Sequence, residues 1–372
     1  MTNTLFPTTV IGSLPRPAWV REVILDRKSG QLTEEEAGHM LDPAIEAAVI
    51  LQERAGLDEI TDGEWRRESY VKVFAERVRG FQPDLNPSGG LPYPAVVAPV
   101  EYHRPIATDE VHFIRGRTQR RVKATLPAPY IIGRRMWHPE HSKAAYPTRE
   151  RLMADCVSIL RQEIELLRDA GADTVQLDEP WLSTMVDPNF REKEGVTDPQ
   201  YEMDLCVDLI NQTLDGIEGI DTMMHLCHAH FDREHGSEGP YDLIMPALAK
   251  VRVGTICMEY ATPVAGGLAS LAQFPENVKW GLGCIDHCDR QVETPEVVAS
   301  RVEEAMQYVD KERITLNPDC GFAPSVQNPM DLDEAYLKLK AMCQAAELLR
   351  NSYRKSPVKP LVSTLGIEGR IR

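Results

Sequence analysis

The sequence predicts an α/β fold, specifically a (β/α)8 TIM barrel with an inserted, hairpin-like excursion before its third strand. Short apolar or β-branched runs alternate eight times with amphipathic helical stretches along the 372 residues, as parallel barrels require. Polar residues follow most of these runs directly. Because the carboxyl ends of barrel strands converge on one face, these residues are predicted to share one site. An open doubly wound sheet is the alternative, but no Gly-x-Gly-x-x-Gly follows a predicted strand.

The predicted strands are apolar runs that end at turn residues or polar residues. They cover residues 8–11, 58–61, 122–126, 174–177, 222–226, 254–258, 279–283 and 314–317. The predicted helices show apolar residues at helical spacing. They cover residues 34–56, 148–170, 199–217, 242–252, 295–311 and 331–350.

Residues 81–121 interrupt this rhythm, because they are rich in proline and contain alternating segments such as 111–114. They are interpreted as an inserted β-hairpin. One catalytic domain is therefore predicted over residues 1–355. Residues 356–372 form a tail that contains the protease-site-like stretch Ile367-Glu368-Gly369-Arg370, which takes no part in the functional argument.

The composition excludes several functional classes. Acidic residues outnumber basic ones by 57 to 41, for a net charge of −16, which argues against nucleic acid or an anionic membrane as a partner. The sequence has neither a transmembrane-length apolar stretch nor a signal peptide, so a cytoplasmic location is predicted. Its 8 cysteines are too sparse for a disulfide framework. Cys156, Cys206 and Cys343 are expected to be buried core residues.

His225 and Cys227 end an apolar run and lie two residues apart, so both side chains point to one face of a strand. Glu259 and Cys320 end two other runs. A nitrogen, two thiolates and a carboxylate are all acceptable to zinc. The sequence therefore predicts a Zn²⁺ site. Rival ligands are His228, His230, Cys257, Cys284 and Cys288, of which Cys257 is expected to pack beneath the site.

Two thiolates and a carboxylate make Zn²⁺ a poor Lewis acid for water, but the ion can still deprotonate another thiol. Since it stabilises the thiolate, a substrate sulfur becomes nucleophilic at neutral pH. This ligand set favours thiol alkylation over hydrolysis.

At these residues the chain resembles the catalytic barrel of cobalamin-independent methionine synthase, as a single-barrel, core-type member. The likeness spans nearly the whole length. It rests on Ile11-Gly12-Ser13, Asp62-Gly63-Glu64, Leu177-Asp178-Glu179-Pro180, His225-Leu226-Cys227, Glu259 and Asn317-Pro318-Asp319-Cys320-Gly321. The resemblance implies that His225, Cys227, Glu259 and Cys320 bind zinc.

The same resemblance implies substrate contacts. Ser13 and Glu64 correspond to residues that hold the amino-acid end of homocysteine, and Asp178 to a further contact. Other interpretations stay open, because Ser13 could be a helix N-cap and residues 178–180 a strand-ending turn.

The chain departs from the family pattern in three ways. The family's N-terminal barrel, which helps to bind folate, is missing. The aromatic residue expected after the third strand is replaced by Arg134-Arg135-Met136-Trp137, with Trp137 out of register. The family histidine that donates a proton is displaced by one position to His287, and Cys288 takes its place. Arg134 and Arg135 could bind an anionic group or form a solvated charge pair.

The first hypothesis is a zinc-dependent methyltransferase that acts on homocysteine, with methyltetrahydrofolate or a methylated corrinoid protein as donor. His287, or Asp286 through water, would relay the proton. The alternative in the same structural group is an epoxide:thiol transferase of the coenzyme M type, or a C–S lyase. A metal-free decarboxylase of the porphyrin-binding barrel group and a protein with structural zinc are further alternatives. The oligomeric state and the role of residues 81–121 are left open.

Overall fold

The computed structural model describes residues 4–88, 91–230, 233–323 and 330–354. The predicted tail, 356–372, lies outside the described residues. No helix among the described residues is long and apolar enough to cross a membrane.

A curled sheet of seven parallel strands forms the centre of the fold, as in TIM-barrel proteins. Its strand order follows the chain, except that the second and third strands of the chain form a separate sheet. The strands are β1 (Glu59–Ile60), β4 (Arg121–Pro127), β5 (Thr174–Asp178), β6 (Asp221–His225), β7 (Thr255–Glu259), β8 (Lys279–Ile285) and β9 (Ile314–Pro318).

Residues 8 and 9 contact both edges of this sheet. Thr8 pairs in parallel with Leu316 of β9, and Thr9 pairs in parallel with Glu59 of β1. The Thr9 amide donates to the Leu316 carbonyl at 3.0 Å. The stretch predicted as the first strand therefore lies between the last strand and the first strand of the sheet.

Two long strands form a separate antiparallel sheet before β4. They are β2 (Val78–Ser88) and β3 (Leu91–Tyr102). The next part of the predicted excursion differs from the expectation, because residues 111–114 lie in the helix α4 (Thr108–Arg115). There the apolar side chains Val111 and Ile114 are buried three residues apart, which is a helical spacing.

Helices connect the strands and cover the outside of the sheet. They are α1 (Ala18–Ser29), α2 (Glu34–Ala55), α3 (Lys72–Arg77), α4, α5 (Pro129–Met136), α6 (Arg149–Asp169), α7 (Pro180–Thr184), α8 (Pro188–Lys193), α9 (Pro199–Leu214), α10 (Met245–Leu248), α11 (Pro295–Ala305) and α12 (Leu332–Arg354). The helix predicted over 242–252 is only α10, preceded by a 3₁₀ turn over Tyr241–Leu243.

The helix ends follow from local sequence. Thr33 and Glu36 form a capping box at the start of α2, and Gly56 ends that helix in a left-handed conformation. Helix α7 begins with Pro180 after Glu179, whose carboxylate accepts the Trp181 amide. Residues 178–180 are thus a strand end followed directly by a capped helix.

The core is continuous across the sheet and its helices. Cys156, Cys206 and Cys343 are buried, as predicted. Cys257 is fully buried with Ile11 and Met223 in a small separate cluster.

Candidate metal centre and substrate site

Three of the four predicted metal ligands lie together. The ligand atoms of His225, Cys227 and Cys320 are within 4.8 Å of one another, and all three residues are buried. His225 ends β6, and the Leu226 amide still donates to the Cys257 carbonyl at 2.9 Å. The extended pairing thus continues past the strand end and carries Cys227 to the same place. Cys320 follows β9, so two strand ends separated by nearly a hundred residues meet here.

The His225 imidazole has the properties of a metal ligand. Both ring nitrogens are buried and have no hydrogen-bond partner among the described residues. Burial lowers the pKa of His225 to about 3, so the ring is neutral and its lone pair is available. Burying an imidazole whose nitrogens have no partner costs free energy, unless a bound ligand contacts one of those nitrogens. Together with two thiols, this ring fits Zn²⁺.

The chain around Cys320 packs tightly against the first strand end. A Cβ added to Gly321 would lie 2.6 Å from the Ser13 hydroxyl, and the Ala323 amide donates to that hydroxyl at 3.2 Å. The neighbouring Cys227 thiol, and then burial, raise the pKa of Cys320 well above its usual range. A bound cation would reverse this effect, because it stabilises the thiolate.

Glu259, the fourth predicted ligand, is not part of this three-residue group. Its carboxylate contacts the histidines that follow Cys227: His228 Nδ1 lies 2.9 Å from Oε2, and His230 Nε2 hydrogen-bonds Oε1. The His228 amide also donates to Oε1 at 3.2 Å. Burial acts to raise the pKa of Glu259, but the two histidines outweigh it and hold this pKa well below the usual range. The carboxylate is therefore anionic.

Glu64 is buried and follows the carboxyl end of β1. Gly63 and Glu64 both have positive φ, 75° and 58°, and the Glu64 amide donates to Asp62 at 2.9 Å. This turn directs the Glu64 side chain inward, where Oε1 accepts the Thr125 hydroxyl at 2.7 Å. The other oxygen, Oε2, is buried without a partner among the described residues. Gly12 allows this approach, since a Cβ there would lie 2.6 Å from Oε1.

Asp178 ends β5 directly beside His225, its register partner on β6. Its carboxylate accepts Gln176 Nε2 at 2.7 Å. Burial, and after it the Glu64 carboxylate, raise the pKa of Asp178 to about 8. Asp178 thus connects the candidate metal centre with Glu64.

Arg134 and Arg135 both stack on Trp181. Their guanidinium carbons lie 4.2 and 5.1 Å from that ring's centroid, and Arg134 also donates to the Glu194 carbonyl at 2.9 Å. They are therefore not a solvated charge pair. The Trp137 indole N–H donates to the Tyr146 carbonyl at 2.9 Å, so its polar edge is engaged inside the protein.

His287 lies next to the candidate metal centre. Its ligand nitrogen, the Cys320 sulfur and a nitrogen of His230 are within 4.8 Å of one another. Burial, and after it the charge of His230, lower the pKa of His287 well below its usual range. A carboxylate oxygen of Asp286 lies within 4.8 Å of a His287 ring nitrogen and of the Cys288 sulfur. The same carboxylate accepts the amides of Cys288 and Asp289 at 2.7 and 3.2 Å.

Some residues of the site were not predicted. His235 lies with His230 and Cys288 in a second group of ligand atoms within 4.8 Å. Tyr70 lies within electrostatic reach of Cys227, Asp178 and Arg135, and burial raises its pKa well above the usual range. The density of histidines was the available signal for His235. Of 10 in the chain, four fall within residues 225–235.

Comparison with known proteins places the chain in one family, both by its family model and by its relatives. The family model described as "Cobalamin-independent synthase, Catalytic domain" matches residues 6–348. The methionine synthase of Saccharolobus solfataricus is 30% identical over 94% of this chain and 97% of its own length. That of Sulfurisphaera tokodaii is 29% identical over 96% and 98%. These relatives are therefore close to this chain in length.

Two solved structures share the fold. A B12-independent methionine synthase from Shewanella sp. W3-18-1, in complex with selenomethionine, has a TM-score of 0.77 and 24% identity over 94% of this chain and 99% of that one. A putative vitamin-B12 independent methionine synthase from Listeria monocytogenes has a TM-score of 0.68 and 21% identity over 91% and 96%.

Proposed function

Because the chain belongs to the family of cobalamin-independent synthase catalytic domains, we propose that it is a zinc-dependent methyltransferase that converts homocysteine to methionine. The observation that carries the zinc dependence is the buried group His225, Cys227 and Cys320, in which both imidazole nitrogens have no other partner among the described residues. His225, Cys227 and Cys320 would hold the ion, with Glu259 as the predicted fourth ligand. Bound there, Zn²⁺ would stabilise the homocysteine thiol as a nucleophilic thiolate at neutral pH.

The neighbouring side chains bind and orient the substrate in this proposal. The Glu64 carboxylate has an unpartnered buried oxygen, and we assign it to the ammonium group of homocysteine. Asp178 and Ser13 are assigned to the same amino-acid end. Asp178 lies between Glu64 and His225, which supports a substrate that spans this distance with its sulfur at the metal centre.

The proton transfer is assigned to His287, with Asp286 as the predicted relay through water. His287 lies beside Cys320, so its ring is placed to pass the proton of the substrate thiol to the leaving group of the donor. The carboxylate of Asp286 is engaged by backbone amides. This contact supports a positioning role in the loop that carries His287.

Arg134 and Arg135 are proposed to contact an anionic part of the methyl donor, either methyltetrahydrofolate or a methylated corrinoid protein. Tyr70 supports this placement, because it lies within electrostatic reach of both Arg135 and Cys227. The proposal also includes a cytoplasmic location.

We also infer that the site is part of a complete eight-stranded barrel, in which residues 8–11 form the eighth strand. The pairing of Thr8 with β9 and of Thr9 with β1 supports this closure. The antiparallel pair β2 and β3 is the proposed insertion before the third barrel strand, within one catalytic domain over residues 1–355.

Zinc content and sulfur coordination test this proposal. Cys227→Ser is expected to lower the zinc content of the purified protein by about one ion per chain, whereas Cys156→Ala, in the buried core of α6, leaves it unchanged. Homocysteine should add a sulfur neighbour in X-ray absorption at the zinc edge, and methyl transfer should follow with one of the two donors. Absence of zinc from the wild-type protein would refute the proposal. A sulfur neighbour with coenzyme M alone would favour the epoxide:thiol transferase.

A further inference from the structure

A second group of soft and borderline ligand atoms adjoins the candidate metal centre. His230 Nδ1 lies 3.5 Å from the Cys288 sulfur, and His235 Nε2 lies 3.8 Å from it. His287 Nε2 approaches the same sulfur at 3.9 Å. We call His230, His235 and Cys288 the histidine–cysteine cluster. None of its members belongs to the ligand set of the proposed function.

The distances agree with those across a bound metal ion. With Zn–N near 2.0 Å, Zn–S near 2.3 Å and a tetrahedral angle, a nitrogen ligand and a sulfur ligand are about 3.6 Å apart. Nδ1 of His230 and Nε2 of His235 are therefore spaced from the Cys288 sulfur as two imidazole ligands and a thiolate are around one shared cation.

Glu259 orients one histidine of this cluster, His230, and lies near the other. Its Oε1 hydrogen-bonds His230 Nε2, and its Oε2 lies 3.7 Å from His235 Nδ1. When the Nε2 of His230 donates its proton to the carboxylate, Nδ1 carries the lone pair that faces Cys288. A carboxylate that fixes the tautomer of a histidine in this way is a common outer partner of metal-binding histidines.

The backbone of the cluster is also held in place. Arg233 has a positive φ of 70° and donates to the Cys288 carbonyl at 3.1 Å. Its guanidinium forms two bonds to Glu334 of α12, at 2.7 and 2.9 Å. The loop after β6 and the loop after β8 are thus connected to each other and to the last helix before any ion binds.

We propose that His230, His235 and Cys288 bind a second Zn²⁺ ion, with a fourth position open to water or a thiolate. The two sites adjoin, because His230 also lies within ligand distance of His287 and Cys320. The Glu259 carboxylate, which hydrogen-bonds His230 and lies 3.7 Å from His235 Nδ1, would balance part of the charge of the second ion.

Metal stoichiometry tests the second site without any assay of activity. Protein saturated with zinc and then freed of loose metal is expected to hold two ions per chain. Cys288→Ala and His235→Ala should each lower this to one, and Cys227→Ala should leave the second ion bound. Cys156→Ala and His103→Ala, a buried cysteine and an exposed histidine outside both groups, should keep two. One ion per chain in the wild-type protein would overturn the proposal.

Cobalt substitution supplies a second measurement, which does not require the second site of the wild-type protein to retain zinc during purification. A Cys227→Ala, Cys320→Ala double variant retains only the cluster, and folding is checked by circular dichroism. Co²⁺ should give it a sulfur-to-cobalt absorption band that disappears when Cys288→Ala is added. If the folded variant shows no such band, the second site is excluded. A variant that does not fold leaves the decision to the zinc counts of the single variants. If Cys227→Ala lost all of its zinc while Cys288→Ala kept as much as the wild-type protein, only the second site would be refuted. The proposed function would stand.

Discussion

Glu64 combines an unusual backbone with an unsatisfied side chain. Few non-glycine residues among those described have a positive φ, and Glu64 is one of them. Its Oε2 is buried without a partner in the described part of the chain. Because both features cost free energy, they are typical of residues held in place for binding or catalysis.

Replacement of this carboxylate should weaken substrate binding. Glu64→Gln keeps the shape of the side chain but removes its charge, so the KM for homocysteine should rise roughly tenfold to a hundredfold, as expected for a lost charge-assisted bond. Steady-state kinetics measure this change. Glu68→Gln is the matched control, because the Glu68 carboxylate instead forms ion pairs with Lys28 and Lys72. An unchanged KM would exclude Glu64 as a substrate contact.

Asp178 should make stability depend on pH. Its pKa is about 8 in the folded chain and about 4 when unfolded. Within this window the folded state binds the extra proton, so its contribution to stability falls as the pH rises from about 4 to about 8. Asp178→Asn removes this dependence and should raise the free energy of unfolding at pH 8, on the order of 1–3 kcal/mol, with little gain near pH 4.

Urea unfolding at both pH values measures this difference. Asp208→Asn, on the exposed face of α9, should change neither value. If Asp178→Asn gave the same gain at both pH values, ionisation of Asp178 would not be the cause.

At the scale of secondary-structure elements, β8 depends on glycine. A Cβ on Gly281 would overlap the Cys257 sulfur and lie 2.7 Å from Asn317 Oδ1. The strands on both sides of β8 therefore approach too closely for any side chain at this position.

Alanine at two glycines should have opposite effects. Gly281→Ala forces atoms apart in the centre of the sheet and should lower the free energy of unfolding by about 1–3 kcal/mol. Gly38→Ala lies within α2, where a Cβ would contact nothing, and should raise it by roughly 0.5–1 kcal/mol. Denaturant unfolding compares the two. A neutral Gly281→Ala would mean that β7, β8 and β9 can separate at little cost.

The elements were predicted more reliably from the sequence than the side chains of the site were. Buried parallel strands are continuous apolar runs, so β5 to β9 could be located directly. The helix over residues 108–115 was missed, because its short apolar pattern fits either structure. His225, Cys227 and Cys320 could be grouped because each lies at the end of a strand or two residues after it. The contacts of Glu259 could not be predicted, since three histidines brought near it by the fold compete for its carboxylate.

Across the whole molecule, α12 supports the loop that carries His287. Lys338 of α12 is fully buried, and its ammonium donates to the carbonyls of Asp286 and Gln291 at 2.7 and 2.9 Å. Helix α12 thus binds both ends of the loop over residues 286–291. The position of His287 therefore depends on residues far from the substrate.

Removal of this support should affect both stability and turnover. Lys338→Met leaves two buried carbonyls without their donor, so the free energy of unfolding should fall by about 1–3 kcal/mol and kcat should fall more than KM changes. Thermal unfolding and steady-state kinetics provide the measurements. Lys340→Met, exposed on the same helix, should change neither. Loss of stability at full kcat would limit Lys338 to a structural role.

Arg350 of α12 donates to the carbonyls of Leu5 and Phe6 at 2.8 and 2.9 Å, on the side of the sheet opposite the strand ends that carry the candidate metal ligands. The first and last of the described residues are therefore close neighbours. A circular permutant opened in the turn at Gly216, on that same opposite side, should fold and keep the metal content of the unpermuted protein. The strand–helix units could then follow one another in a different order along the chain while the site keeps its arrangement.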